Sequence, residues 1–160
     1  MKTALIALAS VMCFGLSAQA FAQTCASPLP ISSGGTPNGT VSGDLCTATN
    51  SLPTYGGITS PQKEMIYSFV AQGANATIAY TANGYTGVVY LMPSPCAPST
   101  DPTGIGTSTG TNMTVSGLTN GATYYVIFTA NPGGPEDACG TFTGTVTGTL
   151  PVSLQNFSVE

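Results

Sequence analysis

The chain has 160 residues, of which 5% are charged: two Lys or Arg, six Asp or Glu and no histidine, for a formal net charge of −4. Nucleic acid and anionic lipid both demand a field of basic side chains, and this chain has none to offer. Without histidine, the usual general base for a Ser, Thr or Cys nucleophile is missing as well.

The apolar fraction is an ordinary 42%. Disorder goes with low hydrophobicity and high net charge, so a folded domain with a neutral, hydroxyl-rich coat is expected.

Residues 1–22 read as a signal peptide. Lys2 gives a positive start, residues 4–16 are apolar, and Ala20-Phe21-Ala22 supplies small residues spaced for a signal peptidase. Cleavage is expected after Ala22, with Ala20 the next candidate. The apolar stretch is shorter than the roughly 18–20 residues a spanning helix needs. The residues before Cys13 and Cys25 do not make a lipoprotein signal. Processing leaves one domain, residues 23–148, and an extended tail or edge strand, residues 149–160. Lys63 is then the only basic side chain, against Asp44, Glu64, Asp101, Glu136, Asp137 and Glu160.

Residues 23–36, rich in Pro, Ser and Gly, predict a loop or edge segment. Residues 38–46 offer one or two short strands. Residues 47–62, with Pro53, Gly56, Gly57 and Pro61, predict a connection. Residues 64–96 hold three short β-like runs. Met65, Tyr67 and Phe69 share one side of the first, Ala76, Ile78 and Tyr80 of the second, and Val89 and Leu91 of the third. Asn83-Gly84 predicts a tight reversal between the second and third runs.

Residues 93–112 predict a long irregular segment. Met113 and Val115 alternate in residues 111–118, and Asn120-Gly121 marks another reversal. Residues 123–130 (TYYVIFTA) are the strongest strand, with Tyr124, Val126 and Phe128 inward. Residues 131–138 (NPGGPEDA) predict a turn-rich loop. Residues 139–148 alternate through Phe142, Gly144 and Val146, and residues 152–159 are a last extended piece. Strands between turn signals, with no helical period after the signal, predict an all-β antiparallel β-sandwich or barrel.

Cys13 leaves with the signal. Cys25, Cys46, Cys96 and Cys139 remain, an even number in an exported chain, and predict two disulfides. Three connectivities are open. Cys25–Cys46 with Cys96–Cys139 is favoured, closing the N-terminal segment and tying the third run to the last main strand. There is no Cys-x-x-Cys pair to suggest zinc or redox chemistry.

Lys63 beside Glu64 reads as a solvated pair rather than half of a Ser-Lys site. The scattered acids do not suggest a glycosidase pair. Asp101, Glu136 and Asp137 lie in loops flanking the favoured Cys96–Cys139 bridge and are the candidate calcium ligands. Tyr55 and Tyr85 in turn-like surroundings, with Tyr90 and Tyr125 pointing away from the inward sets, are the candidate ligand contacts. Asn38, Asn75, Asn112 and Asn156 each begin an Asn-x-Ser/Thr triplet, which a Thr-rich chain produces by chance.

The order of these features resembles bacterial pre-peptidase C-terminal domains. Val41-Ser42-Gly43-Asp44-Leu45-Cys46 is similar to the family's opening segment, and Ile66-Tyr67-Ser68-Phe69-Val70 to its "YSF" strand. Val88-Val89-Tyr90-Leu91 is similar to its next core strand. Leu118-Thr119-Asn120-Gly121-Ala122-Thr123-Tyr124-Tyr125-Val126 is similar to its "L-x-x-G-x-x-Y-Y-V" hairpin, and Cys139-Gly140-Thr141-Phe142-Thr143 to its closing strand. The resemblance implies a jelly-roll-like sandwich, generally non-catalytic, some of whose relatives bind matrix proteins or calcium. The chain is expected to stand without the usual peptidase, and it lacks the acid that many relatives carry near Thr86-Gly87-Val88.

Together these readings lead to the expectation of a non-catalytic, exported bacterial binding or accessory module, secreted or otherwise extracytoplasmic. It would engage a protein, a glycan or a surface polymer, with no cofactor beyond calcium. The alternative is a structural matrix or filament subunit that self-associates through sheet edges.

Overall fold

The computed structural model describes residues 24–31, 39–107 and 112–148. The expected signal peptide (residues 1–22), the expected tail (residues 149–160), Asn38 and Asn156 lie outside the described residues. The elements in chain order are β1 (Leu29–Pro30), β2 (Gly39–Asp44), a 3-10 turn η1 (Leu45–Thr47), β3 (Thr54–Tyr55), β4 (Ile58–Thr59), β5 (Glu64–Val70) and β6 (Asn75–Ala82). β7 (Gly87–Pro93), β8 (Gly104–Thr107), β9 (Met113–Ser116), β10 (Thr123–Ala130) and β11 (Thr141–Gly148) complete the set.

Two sheets pack face to face. One has the order β1-β5-β10-β7-β8, the other β2-β11-β6-β9, and β3 and β4 form a separate hairpin. Among the described residues only β1 runs parallel to its neighbour. β10 is central in the five-stranded sheet: Val126 lies opposite Tyr67 on β5 and Leu91 on β7. β11 sits between β2 and β6. The chain is an all-β antiparallel sandwich with two disulfides, as its alternation predicted.

The inward sets meet between the sheets. Tyr67, Phe69, Ile78, Tyr80, Val89, Leu91, Val126, Phe128, Phe142 and Val146 are buried in one cluster, with Met65 packed against it. Gly144 belongs to the same face for a different reason. A Cβ there would collide with Cζ of Phe128, so the glycine makes room for that ring.

Several expectations are corrected. Asn83-Gly84 does turn the chain, but the strands it joins do not pair: β6 and β7 lie in different sheets. Asn120-Gly121 likewise joins β9 to β10 across the sandwich, so the resembled hairpin is an arch. Stepping between sheets lets successive apolar stripes face one another, as Tyr80 of β6 does with Phe128 of β10 at 5.0 Å between ring centroids. The segment 93–112 contains β8, whose Gly-Ile-Gly-Thr sequence carries almost no strand signal but pairs with β7.

The connection 47–62 contains the β3–β4 hairpin. Gly56 and Gly57, at φ of 54° and 84°, form the two-residue turn that positive φ at both centres allows.

The favoured disulfide pairing is also wrong. The bonds are Cys25–Cys96 and Cys46–Cys139. The cause is strand order. β2 pairs with β11, with Asp44 opposite Thr141, and Cys46 and Cys139 each stand two residues further along that same register. Cys25 and Cys96 pack together beside the outer face of the five-stranded sheet.

Candidate binding cleft

Two polar features stand out, and each is built by chain that sequence reasoning treated as connection. The first lies under the β3–β4 hairpin. The outward stripe of β5, β7 and β10 should face solvent in a two-layer sandwich. Here residues 48–62 cover it, and Leu52, Tyr55, Ile66, Val88, Tyr90, Met92 and Ile127 form a second buried cluster. Glu64, only 2% exposed, fastens this cover. Its Oε1 accepts from the Ser51 N–H, from the Ser51 hydroxyl at 2.7 Å and from the Leu52 N–H at 2.7 Å. Burial pushes the Glu64 carboxyl above the ordinary glutamate range, against the lowering effect of those three donors. Burial likewise pushes the Tyr55 hydroxyl up, with the Glu64 charge adding to it. The group is sealed from solvent, so it fastens the cover and offers no surface to a ligand.

The second feature is an open cleft of about 340 Å³ at one end of the sandwich. Its walls are the β6–β7 arch and the β10–β11 arch, with Tyr85, Thr86, Asn131, Pro135, Asp137 and Cys139 among the lining residues. Both arches are held by hydrogen bonds. The Asn131 N–H donates to Thr86 O at 2.9 Å, Gly134 N–H to Asn131 O at 2.8 Å and Ala138 N–H to Pro135 O at 3.0 Å. Gln62 Nε2 donates to Pro135 O at 3.0 Å, so the loop is also tied to the chain under the cover. The Cys46–Cys139 bond anchors the floor to η1. The loop Asn-Pro-Gly-Gly-Pro-Glu-Asp-Ala therefore has a fixed shape, which suits a preformed site.

Tyr85 forms one wall. Its hydroxyl lies 2.8 Å from that of Tyr80, which in turn donates to Thr129 O at 3.1 Å. A hydroxyl has one proton, so Tyr85 donates to Tyr80 and can only accept from elsewhere. Burial pushes the Tyr85 hydroxyl up, and the nearby Asp44 carboxylate adds to it. Asp137 is exposed in the cleft and has no hydrogen bond or ion pair among the described residues. Lys63, the nearby cation, spends its Nζ on Cys46 O at 3.0 Å.

The expected site residues thus separate. Tyr85 and Asp137 come together in the cleft, although they were assigned to different roles. Tyr55 and Tyr90 are core residues, 0% and 3% exposed, which removes them as ligand contacts. Tyr125 is partly buried against the second cluster, beside Cys25 and Cys96. The proposed calcium ligands do not converge. Asp101 packs against Gly56 at the tip of the β3–β4 hairpin, with Glu136 and Asp137 on the β10–β11 loop. Among the described residues no group of three or more His, Cys, Asp and Glu could hold a metal ion. Sequence reasoning missed Asn131 and the burial of Glu64. The available signal for Glu64 was its period-2 spacing from the apolar Ile66, which puts both on the outward stripe of β5.

No protein-family model and no curated protein matches the chain. Among solved structures, it is similar to PliG of Aeromonas hydrophila, a periplasmic inhibitor of g-type lysozyme. The TM-score is 0.51 at 10% identity, covering 74% of this chain and 93% of that one. The mitogen YPM of Yersinia pseudotuberculosis aligns with a TM-score of 0.47 at 8% identity, covering 75% and 91%. Both are β folds, and at these identities the first likeness concerns the fold alone. Among the described residues no helix is long and apolar enough to cross a membrane.

Proposed function

We propose that this chain is a non-catalytic, exported protein-binding module whose binding surface is the arch end of the sandwich around the Tyr85–Asp137 cleft. The observation that carries the reading is the cleft itself. It is open, braced by main-chain hydrogen bonds and a disulfide, and lined by an aromatic ring and an unpaired carboxylate. Interfaces of this kind use an aromatic anchor within a preformed concavity. The two disulfides suit an oxidising compartment, and the Glu64 carboxyl, sealed under the cover, is out of a substrate's reach. A fold shared with a periplasmic inhibitor supports the same reading. The likeness to pre-peptidase C-terminal domains is part of this proposal and rests on motif order.

The test places a photo-crosslinking residue at Thr86 or, as control, at exposed Val70. Partners captured from the native exported fraction are then purified, alongside g-type lysozyme as a defined protein, and titrated against the wild type and Thr86→Trp. Loss of binding in Thr86→Trp with an unchanged Tm supports the reading. Equal capture from both positions, or undiminished binding by Thr86→Trp, overturns it.

One observation favours the structural alternative. Among the described residues β8 is an edge strand and its Ile105 is 54% exposed, which offers a ladder and an apolar side chain to another copy. Light scattering over a concentration series decides this: a filament subunit assembles without a ligand, and a binding module stays monomeric.

A further inference from the structure

From the cleft chemistry we infer that its occupant is an arginine side chain of the partner protein, with the guanidinium on the Asp137 carboxylate and against the Tyr85 ring. The inference rests on the reading of the cleft as a protein-binding site and specifies what that site recognises.

Four observations converge. Asp137 is the acidic side chain on the cleft wall, and no hydrogen bond or ion pair among the described residues engages it. Tyr85 has its proton committed to Tyr80, so its oxygen can only accept and its ring is fixed in place. Asn131 spends Oδ1 on the Gly133 N–H at 3.1 Å, which leaves its amide N–H₂ for a main-chain carbonyl beside the bound side chain. Asp44 adds negative charge beside Tyr85 at the same end, while Lys63 is tethered to Cys46 O.

A guanidinium is all donors and no acceptor, pairs with a carboxylate through two parallel hydrogen bonds, and stacks on aromatic rings. A carboxylate ligand would meet the unpaired charge of Asp137. A sugar hydroxyl would not use that charge. Lysine satisfies the charge but not the fork geometry. A cleft of about 340 Å³ is large enough for one long side chain and too small for a folded element.

The experiment uses the mature chain and two blocked tripeptides, Gly-Arg-Gly and the same peptide with citrulline, which keeps the shape and loses the charge. Amide chemical shifts are followed by NMR during titration. The expected result is movement of Tyr85, Asn131 and residues 137–139 with the arginine peptide and none with citrulline.

Asp137→Asn weakens the arginine peptide by about tenfold or more, as removing one partner of a specific charge pair does. Glu136→Gln, which lies outside the lining, leaves it unchanged. Equal shifts with citrulline, no shifts at all, or equal weakening by Glu136→Gln overturn the inference, the last because it would mean diffuse attraction. If Thr86→Trp blocks the partner protein while Asp137→Asn does not, this inference fails and the binding reading stands. If Thr86→Trp has no effect on the partner, the binding reading itself fails.

Discussion

The ring of Tyr55 stacks on that of Tyr90, with centroids 4.5 Å apart and planes 17° from parallel. One ring belongs to the β3–β4 cover and the other to the five-stranded sheet, so the pair joins a loop-like segment to the outer face of the sandwich. Both rings are buried, and their contribution is to folding.

Tyr90→Ala is therefore expected to cost about 3–5 kcal/mol of stability, the range for removing a large buried aromatic side chain. Chemical denaturation measures this. A stability loss under 1 kcal/mol would show that the cover does not pack as described.

Glu64 gives a pH dependence of a definite sign. Its carboxyl is raised above the ordinary glutamate range by burial. A raised carboxyl contributes stability that is present below the unfolded-state pKa and is lost as pH rises through the folded-state value. Glu64→Gln keeps an oxygen for the Ser51 and Leu52 donors and removes the ionisation. The wild-type Tm is expected to fall relative to Glu64→Gln as pH rises from about 4 toward 7. Parallel Tm curves for the two proteins would contradict this. Glu64→Ala, which strands the same donors, is destabilised at every pH.

Gly144→Ala is expected to destabilise by about 1–3 kcal/mol, because its Cβ overlaps the Phe128 ring and a packed core has no slack. Phe128→Leu in the same chain opens that space, so the double variant is less destabilised than the sum of the two single changes. Thermal unfolding of the four proteins closes the cycle.

Non-reducing peptide mapping should recover Cys25–Cys96 and Cys46–Cys139. These bonds span 71 and 93 residues. In the chain-entropy model loops of that size each stabilise by about 4–5 kcal/mol, although the overlap of the two loops makes the sum smaller than the parts. Removing Cys46–Cys139 by a paired Ser substitution should also loosen the cleft floor, read as increased amide exchange at Ala138 and Gly140.

Much of the sandwich is visible in the chain because side-chain alternation is local. Period 2 in residues 64–70, 75–82, 123–130 and 141–148 correctly places Tyr67, Ile78, Val126 and Val146 inward, and each is buried between the sheets. The same alternation correctly turns Tyr90 and Tyr125 the other way. It has no means of showing that residues 48–62 fold over that face, because a cover is a contact between segments with no fixed spacing.

The amino-acid sequence by itself determined an acidic, histidine-free, disulfide-bearing β chain and the inward face of each main strand. Only the tertiary structure decided which strands are neighbours. That one choice sent β6 and β7 to different sheets, set Cys46 against Cys139 through the β2–β11 register, and brought Tyr85 and Asp137 into one cleft. The physical reason is range. Alternation and turn chemistry act within a few residues, whereas pairing and burial are settled among strands far apart in the chain, where the apolar stripes and backbone ladders of the whole molecule must be satisfied together.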